Sequence, residues 1–119
     1  MGVACHVRPD GDAIGSIVAL GRCLHLAGKV VHVLSEDGVP ANLAFLRGAE
    51  MVDRSVAQPL DLDVAVALDT ATKDRLGERT NAAFSAAPLL VNMDHHATNP
   101  RFGHLNLIDV ASPATRQII

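Results

Sequence analysis

Carboxylates and imidazoles come together at three places in this chain: His6 with Asp10 and Asp12, Asp69 at the end of Asp63-Val-Ala-Val-Ala-Leu, and Asp94-His95-His96. Each follows an apolar run short enough to be a buried strand. In open α/β sheets, reactive groups gather just past the carboxyl ends of strands, where loops converge on a crevice and the sheet holds them still. Two aspartates separated only by Gly11 can point at neighbouring positions in a turn, and His6 reaches the same space from its strand end. Gly11 itself leaves room for a metal or a phosphate. Taken alone, Asp12 fits an Asx turn or a helix N-cap, and Asp69 fits a cap on the next helix. Both plainer readings weaken because a third strand end carries the same residue types.

Asp94-His95-His96 is the stronger signal. Adjacent side chains in an extended chain point in opposite directions, and two imidazoles both need polar partners, so the pair is a poor way to fill a core. One of them can ligate a given metal while the other meets substrate as hydrogen-bond donor or general acid. Carboxylates and imidazoles without thiolates suit a hard to borderline divalent ion: Mn²⁺ first, with Mg²⁺, Fe²⁺ or Zn²⁺ as alternatives. Three ligand carboxylates bring roughly -3 against roughly +4 for two such ions, so a two-ion centre bridged by hydroxide is near neutral and admits an anionic phosphate. A single ion would leave the site repelling it.

The elements that must position these groups follow from apolar spacing. Val3 to Val7 reads as a strand, closed by the turn Arg8-Pro9-Asp10-Gly11-Asp12. Ile14, Ile17, Val18, Leu20, Leu24 and Ala27 keep helical spacing over Ala13–Ala27, and Gly28 supplies the stop. Lys29 to Leu34 reads as a second strand, which makes a βαβ unit and hence a parallel sheet. Further along, the pattern predicts a short helix over Pro40–Leu46, polar connecting chain to Leu62, and a central strand over Asp63–Leu68. A helical stretch over Asp74–Ala86 is interrupted at Gly77, and strands follow at Leu89–Met93 and Leu105–Ile108. A last helix is expected to start at Ser112-Pro113, with Ser as N-cap and Pro at the first helical position. The expected fold is α/β: one domain with an open, mostly parallel sheet and helices on both faces.

Composition sets outer bounds. A chain of 119 residues with 49% apolar content can bury a real core. Mean hydropathy is +0.24, yet no apolar run reaches the ~18 residues of a membrane span. The start Met1-Gly2-Val3-Ala4-Cys5-His6 has His where a myristoylation motif wants Ser or Thr, and no export signal is apparent. Cys5 and Cys23 lack the spacing of a small secreted domain and read as buried free thiols, so a cytoplasmic location is expected. A net charge of -3 without a basic cluster argues against binding long duplex nucleic acid. Three Phe, and no Trp or Tyr, leave little surface on which bases could stack.

The residues also carry a resemblance. His6-Val-Arg-Pro-Asp10-Gly-Asp12-Ala-Ile-Gly-Ser16, Ala67-Leu-Asp69 and Asn92-Met-Asp94-His95-His96 are similar, in order and separation, to motifs I, II and III of the DHH phosphoesterase superfamily. Pro40 to Gly48 and Ala97 to Gly103 look most like the branch of bacterial oligoribonucleases that also dephosphorylate 3'-phosphoadenosine 5'-phosphate. The resemblance implies two Mn²⁺ ions, one held by His6, Asp10 and Asp69, the other by Asp12, Asp69 and His95, with Asp69 bridging. It implies that His96 faces the phosphate, that Asp94 orients the histidine pair, and that the substrate is a nucleotide or short oligonucleotide. By the same resemblance the chain is expected to stop before a fourth, Asp-bearing motif, since Asp109 lies too close to the triplet, and before a C-terminal substrate-binding domain. The isolated piece is then expected to be inactive, and its uncovered apolar surface allows a homodimer. The competing readings are a family II inorganic pyrophosphatase, for which Thr is expected in place of Gly11, and a non-catalytic metal-binding or regulatory fragment.

Overall fold

Every residue from 1 to 119 is described in a computed structural model. Six strands form one sheet: β1 (Gly2–Ala4), β2 (His32–Ser35), β3 (Val52–Arg54), β4 (Val64–Leu68), β5 (Leu89–Asp94) and β6 (Leu105–Ile108). They lie in the order β3-β2-β1-β4-β5-β6, and every neighbouring pair is parallel. The expected sheet was mostly parallel; the observed one is wholly so.

Alternation along the strands divides the core. Val3, Cys5, Val33, Val66 and Leu68 face one side, where Ala13, Ile14, Ile17 and Val18 of helix α1 (Gly11–Leu26) pack on them. Ala4, Leu34, Ala65 and Ala67 face the other side, against Leu76 and against Ala83 and Phe84 of helix α2 (Glu78–Phe84). One row of the sheet, Val33, Val3, Val66 and Val91, runs across four strands in register. Burying each Val or Ile of this kind contributes about 1.5–3 kcal/mol.

Helix α1 begins two residues before its expected start because Asp10, not Asp12, is its N-cap: the Asp10 carboxylate accepts from the Ala13 amide at 3.0 Å. At its other end Gly28 has φ +78, and the Lys29 amide reaches back to the Leu24 carbonyl at 3.0 Å, which closes the helix and delays β2 to His32.

Other expectations are corrected. β1 ends at Ala4 and not at Val7, since the Val7 amide leaves the ladder to bond the Arg75 carbonyl at 2.7 Å. The helix expected over Pro40–Leu46 is one 3-10 turn, Ala41–Leu43. The stretch read as connecting chain contains β3, a three-residue edge strand whose Asp53 and Arg54 are exposed and give no apolar signal. The helix expected from Ser112 is a 3-10 turn at Thr115–Gln117 preceded by Ala114, and the Ser112 hydroxyl instead donates to the Ala114 carbonyl. Cys23 is exposed, whereas Cys5 is buried as expected.

Burial, then the charges of Asp69 and Asp10, push the Cys5 thiol up to about 12. A maleimide should therefore label Cys23 alone in the folded protein and both cysteines in denaturant, as read by mass spectrometry. Comparable native labelling of Cys5 would contradict this packing.

Candidate metal centre

The strand order places a topological switch between β1 and β4: chain order runs outward to β2 and β3 on one side, and to β5 and β6 on the other. Connections leaving such a pair diverge and open a crevice at the carboxyl edge. A cleft of about 740 Å³ lies there, and His6, Asp10, Asp12, Asp69, His95 and His96 all line it.

Asp69 sits at the centre. It is 2% exposed and has φ 52, the left-handed region that residues with a Cβ rarely adopt. Its amide bonds the Met93 carbonyl at 3.0 Å, so the turn is tied to β5. Oδ2 lies 3.6 Å from His6 Nε2, and Oδ1 lies 3.3 Å from His95 Nε2. On the first side, Asp10 Oδ1 is 3.9 Å from His6 Nε2; on the second, Asp12 Oδ2 is 3.6 Å from His95 Nε2.

Each histidine is held through its other nitrogen. His6 Nδ1 meets the Val7 carbonyl at 2.6 Å, and His95 Nδ1 meets the Ser112 carbonyl at 3.2 Å. A carbonyl can only accept, so the proton sits on Nδ1 and Nε2 is left to face the carboxylates. The cross-cleft separations, 3.3 to 3.9 Å, are long for hydrogen bonds. They approach the ~3–3.5 Å between two atoms that share one ion with bonds of ~2.0–2.2 Å. The donor set and its spacing thus fit divalent ions on either side of Asp69. His6, Asp10 and Asp69 lie within ligating reach of one another, as do Asp69, Asp94, His95 and His96.

The two imidazoles of the triplet do not diverge, because the strand ends at Asp94 and the chain turns: their ring centroids are 4.7 Å apart and both rings line the cleft. Of the two histidines, the fully buried Asp94 bonds only His96, with Oδ1 at 2.6 Å from its Nδ1. The expectation that Asp94 orients both histidines is corrected to His96 only, since Ser112 serves His95. Asp109 uses its carboxylate on the nearby Ala111 amide and is not part of the cleft.

Sequence reasoning missed four contributors. The Thr115 amide donates to Asp12 Oδ2 and its hydroxyl to Asp69 Oδ1, both at 2.9 Å, and the Arg116 amide approaches Asp12 Oδ1 at 3.4 Å. Arg75 brings its guanidinium to the cleft wall beside His6, 3.4 Å from Nδ1. Asn99 bonds Asp94 Oδ2 at 2.8 Å. Neither a Thr 46 residues beyond Asp69 nor an Arg in a helical stretch has a pattern that announces such contacts.

The whole chain, residues 1–119, matches the model of the DHH family, N-terminal domain. The chain belongs to the DHH family. It is 38% identical over 117 residues to the bifunctional oligoribonuclease and PAP phosphatase NrnA of Thermus thermophilus, covering 98% of this chain and 34% of that protein. It is 25% identical over 114 residues to the NrnA of Bacillus subtilis, covering 96% of this chain and again 34% of the relative. It spans about a third of the length of these curated relatives. A crystal structure of an exopolyphosphatase-related protein from Bacteroides fragilis superposes with a TM-score of 0.85 at 24% identity, over 98% of this chain and 36% of that one, which supports the fold.

Without metal, His6 titrates above its usual 6.5, chiefly because of the facing Asp69 carboxylate; burial opposes this, and the Val7 carbonyl and the charges of Asp69 and Asp10 add to it. Burial pushes Asp69 up, but the facing His6 imidazole, the bond from the Thr115 hydroxyl and the charges of His6 and His95 outweigh it and leave Asp69 below its usual 3.8. The His6 contribution to stability is full below 6.5 and is lost as pH rises through the raised value. The Asp69 contribution is full above 3.8 and is lost as pH falls through the lowered one. The metal-free protein should therefore be most stable on the acid side of neutrality. A divalent ion must displace the His6 proton, so its stabilisation should grow with pH, reaching about 2.7 kcal/mol at 100 times its dissociation constant. Thermal melts with and without millimolar Mn²⁺, between about pH 5.5 and about 8.5, check this. A pH-independent rise in Tm, or none, would contradict it.

Proposed function

We propose that this chain is the metal-holding part of a phosphoesterase that hydrolyses phosphate esters of nucleotides or short oligonucleotides. The observation that carries the reading is the convergence on Asp69 of two imidazole–carboxylate groups, His6 with Asp10 and His95 with Asp12, in one cleft that His96 also lines. His6, Asp10 and Asp69 would hold one Mn²⁺, and Asp12, Asp69 and His95 the other, with Asp69 common to both. Two such ions supply an acidified water at neutral pH and offset the charge of a phosphate.

The chain's own residues do the rest. Asp94 accepts from His96 Nδ1, which turns Nε2 of this partly exposed ring toward the cleft as a donor to a phosphate oxygen or to the leaving oxygen. Arg75 and Arg116 line the same cleft, and neither makes a carboxylate ion pair, so their charge is free to attract an anion. A Cβ at Gly11 would meet nothing within 4 Å, so the α1 amino end stays open on the cleft side. The volume, about 740 Å³, lies within the range of small-molecule sites.

The relatives' names support the substrate class, and their length supports assigning the fourth carboxylate to a continuation of the DHH domain, and base recognition to a further domain, in a longer protein. Hydrolysis of dinucleotides, 3'-phosphoadenosine 5'-phosphate, pyrophosphate and polyphosphate by the full-length protein tests the reading. Preference for either inorganic substrate would overturn it.

The residue roles predict a division of labour. Asp69→Asn should abolish turnover and lose metal, because a shared carboxylate acts on both ions. His96→Ala should lower turnover about 100-fold while metal content stays nearly unchanged. Metal analysis and kinetics on the same preparations decide: if His96→Ala loses metal as completely as Asp69→Asn, His96 is a ligand and the roles are wrong.

A further inference from the structure

Asn99 stands where the chain turns away from β5. Its amide bonds the His96 carbonyl at 3.2 Å, closing a turn that carries His96 at its first position. Its carboxamide is held at both ends. Oδ1 accepts from the Arg101 amide at 2.7 Å, so Nδ2 must be the end that faces Asp94 Oδ2 at 2.8 Å, Asn92 Oδ1 at 2.8 Å and the Thr70 carbonyl at 3.3 Å. Those three partners are fully buried. Asn92 is fixed in turn, with Nδ2 3.3 Å from the Ala67 carbonyl and 3.2 Å from that of Thr70, which leaves its Oδ1 free to accept from Asn99.

The consequence falls on Asp94. A fully buried carboxylate needs donors on both oxygens. Asn99 takes Oδ2, and His96 Nδ1 takes Oδ1 at 2.6 Å. With Oδ2 engaged, the carboxylate cannot rotate away from the imidazole, and the one donor that His96 can offer it is Nδ1–H.

We infer that Asn99 is a positioning residue for His96: by clamping Asp94 it fixes the proton on His96 Nδ1 and presents Nε2 to the cleft. The inference concerns no metal ligand, because the Nδ1 of His95 is held separately by the Ser112 carbonyl. Its kinetic consequence rests on the phosphoesterase reading; its spectroscopic consequence does not.

The test uses Asn99→Ala and Asn99→Leu, the second keeping the bulk of the side chain without its donor. In ¹⁵N-labelled, metal-free protein, imidazole nitrogen shifts report which nitrogen of His96 carries the proton. The wild type is expected to show Nδ1–H, and both variants a mixture with Nε2–H, while the His95 signals stay in place. In the full-length enzyme both variants should lower kcat about 10- to 100-fold with KM and metal content unchanged. Combined with His96→Ala they should add nothing further, because the effect runs through that ring. An unaltered His96 signature in a folded variant, a loss that adds to His96→Ala, or unfolding of both variants would overturn the inference and leave Asn99 as a structural residue. Absence of hydrolysis by the wild type would instead defeat the phosphoesterase reading, and the imidazole shifts would still decide the role of Asn99.

Discussion

The carboxylate of Asp69 is almost entirely buried, carries its charge at the junction of β4 and the loop that follows, and divides its two oxygens between the two halves of the site. Nearly everything else around the cleft can be read as support for that one group. The left-handed backbone at φ 52 costs of order 1–3 kcal/mol, and it persists because the Asp69 amide is anchored to β5 and the Thr70 hydroxyl back-bonds the Leu68 carbonyl at 2.9 Å. Thr115 then supplies the donor that a buried carboxylate requires, from a turn that packs on α1. The charge left on Asp69 faces two imidazole nitrogens across gaps suited to an ion.

The sheet makes this placement possible. β1 and β4 pair in register, Ala4 opposite Ala67, so His6 and Asp69, each two residues beyond those partners, leave the sheet at the same level. β5 pairs with β4 through Leu68 and Met93, which brings the triplet alongside. On the far face another buried carboxylate, Glu36, accepts from the Arg79 and Thr80 amides at 3.2 and 2.9 Å and so caps α2 from the end of β2. That contact fixes the segment before α2, from which Arg75 bonds Val7 and reaches the cleft.

What could be read from the residues was what depends on local pattern. The helical spacing from Ile14 to Leu24, the apolar runs ending on Asp69 and Asp94, and the short strand Leu105–Ile108 are signals of period and length, and the structure keeps them. That His6, Asp10, Asp12, Asp69, His95 and His96 meet in one cleft was legible because three strand ends carried the same chemistry. What escaped depends on tertiary partners: β3 forms because β2 offers an edge to it, and Thr115 matters because its turn falls on α1. Cap choice was lost at Asp10 and Asp12, where two carboxylates one residue apart satisfy the same local rule and only the loop path decides between them.

The central claim is that Asp69 is shared by two ions, one against each oxygen. Anomalous diffraction at the manganese edge from crystals grown with Mn²⁺ locates those ions directly. Two peaks are predicted, one in contact with Asp69 Oδ2 and His6 Nε2 and the other with Asp69 Oδ1 and His95 Nε2. A single peak confined to one side, or ions bound without contact to Asp69, would contradict the account.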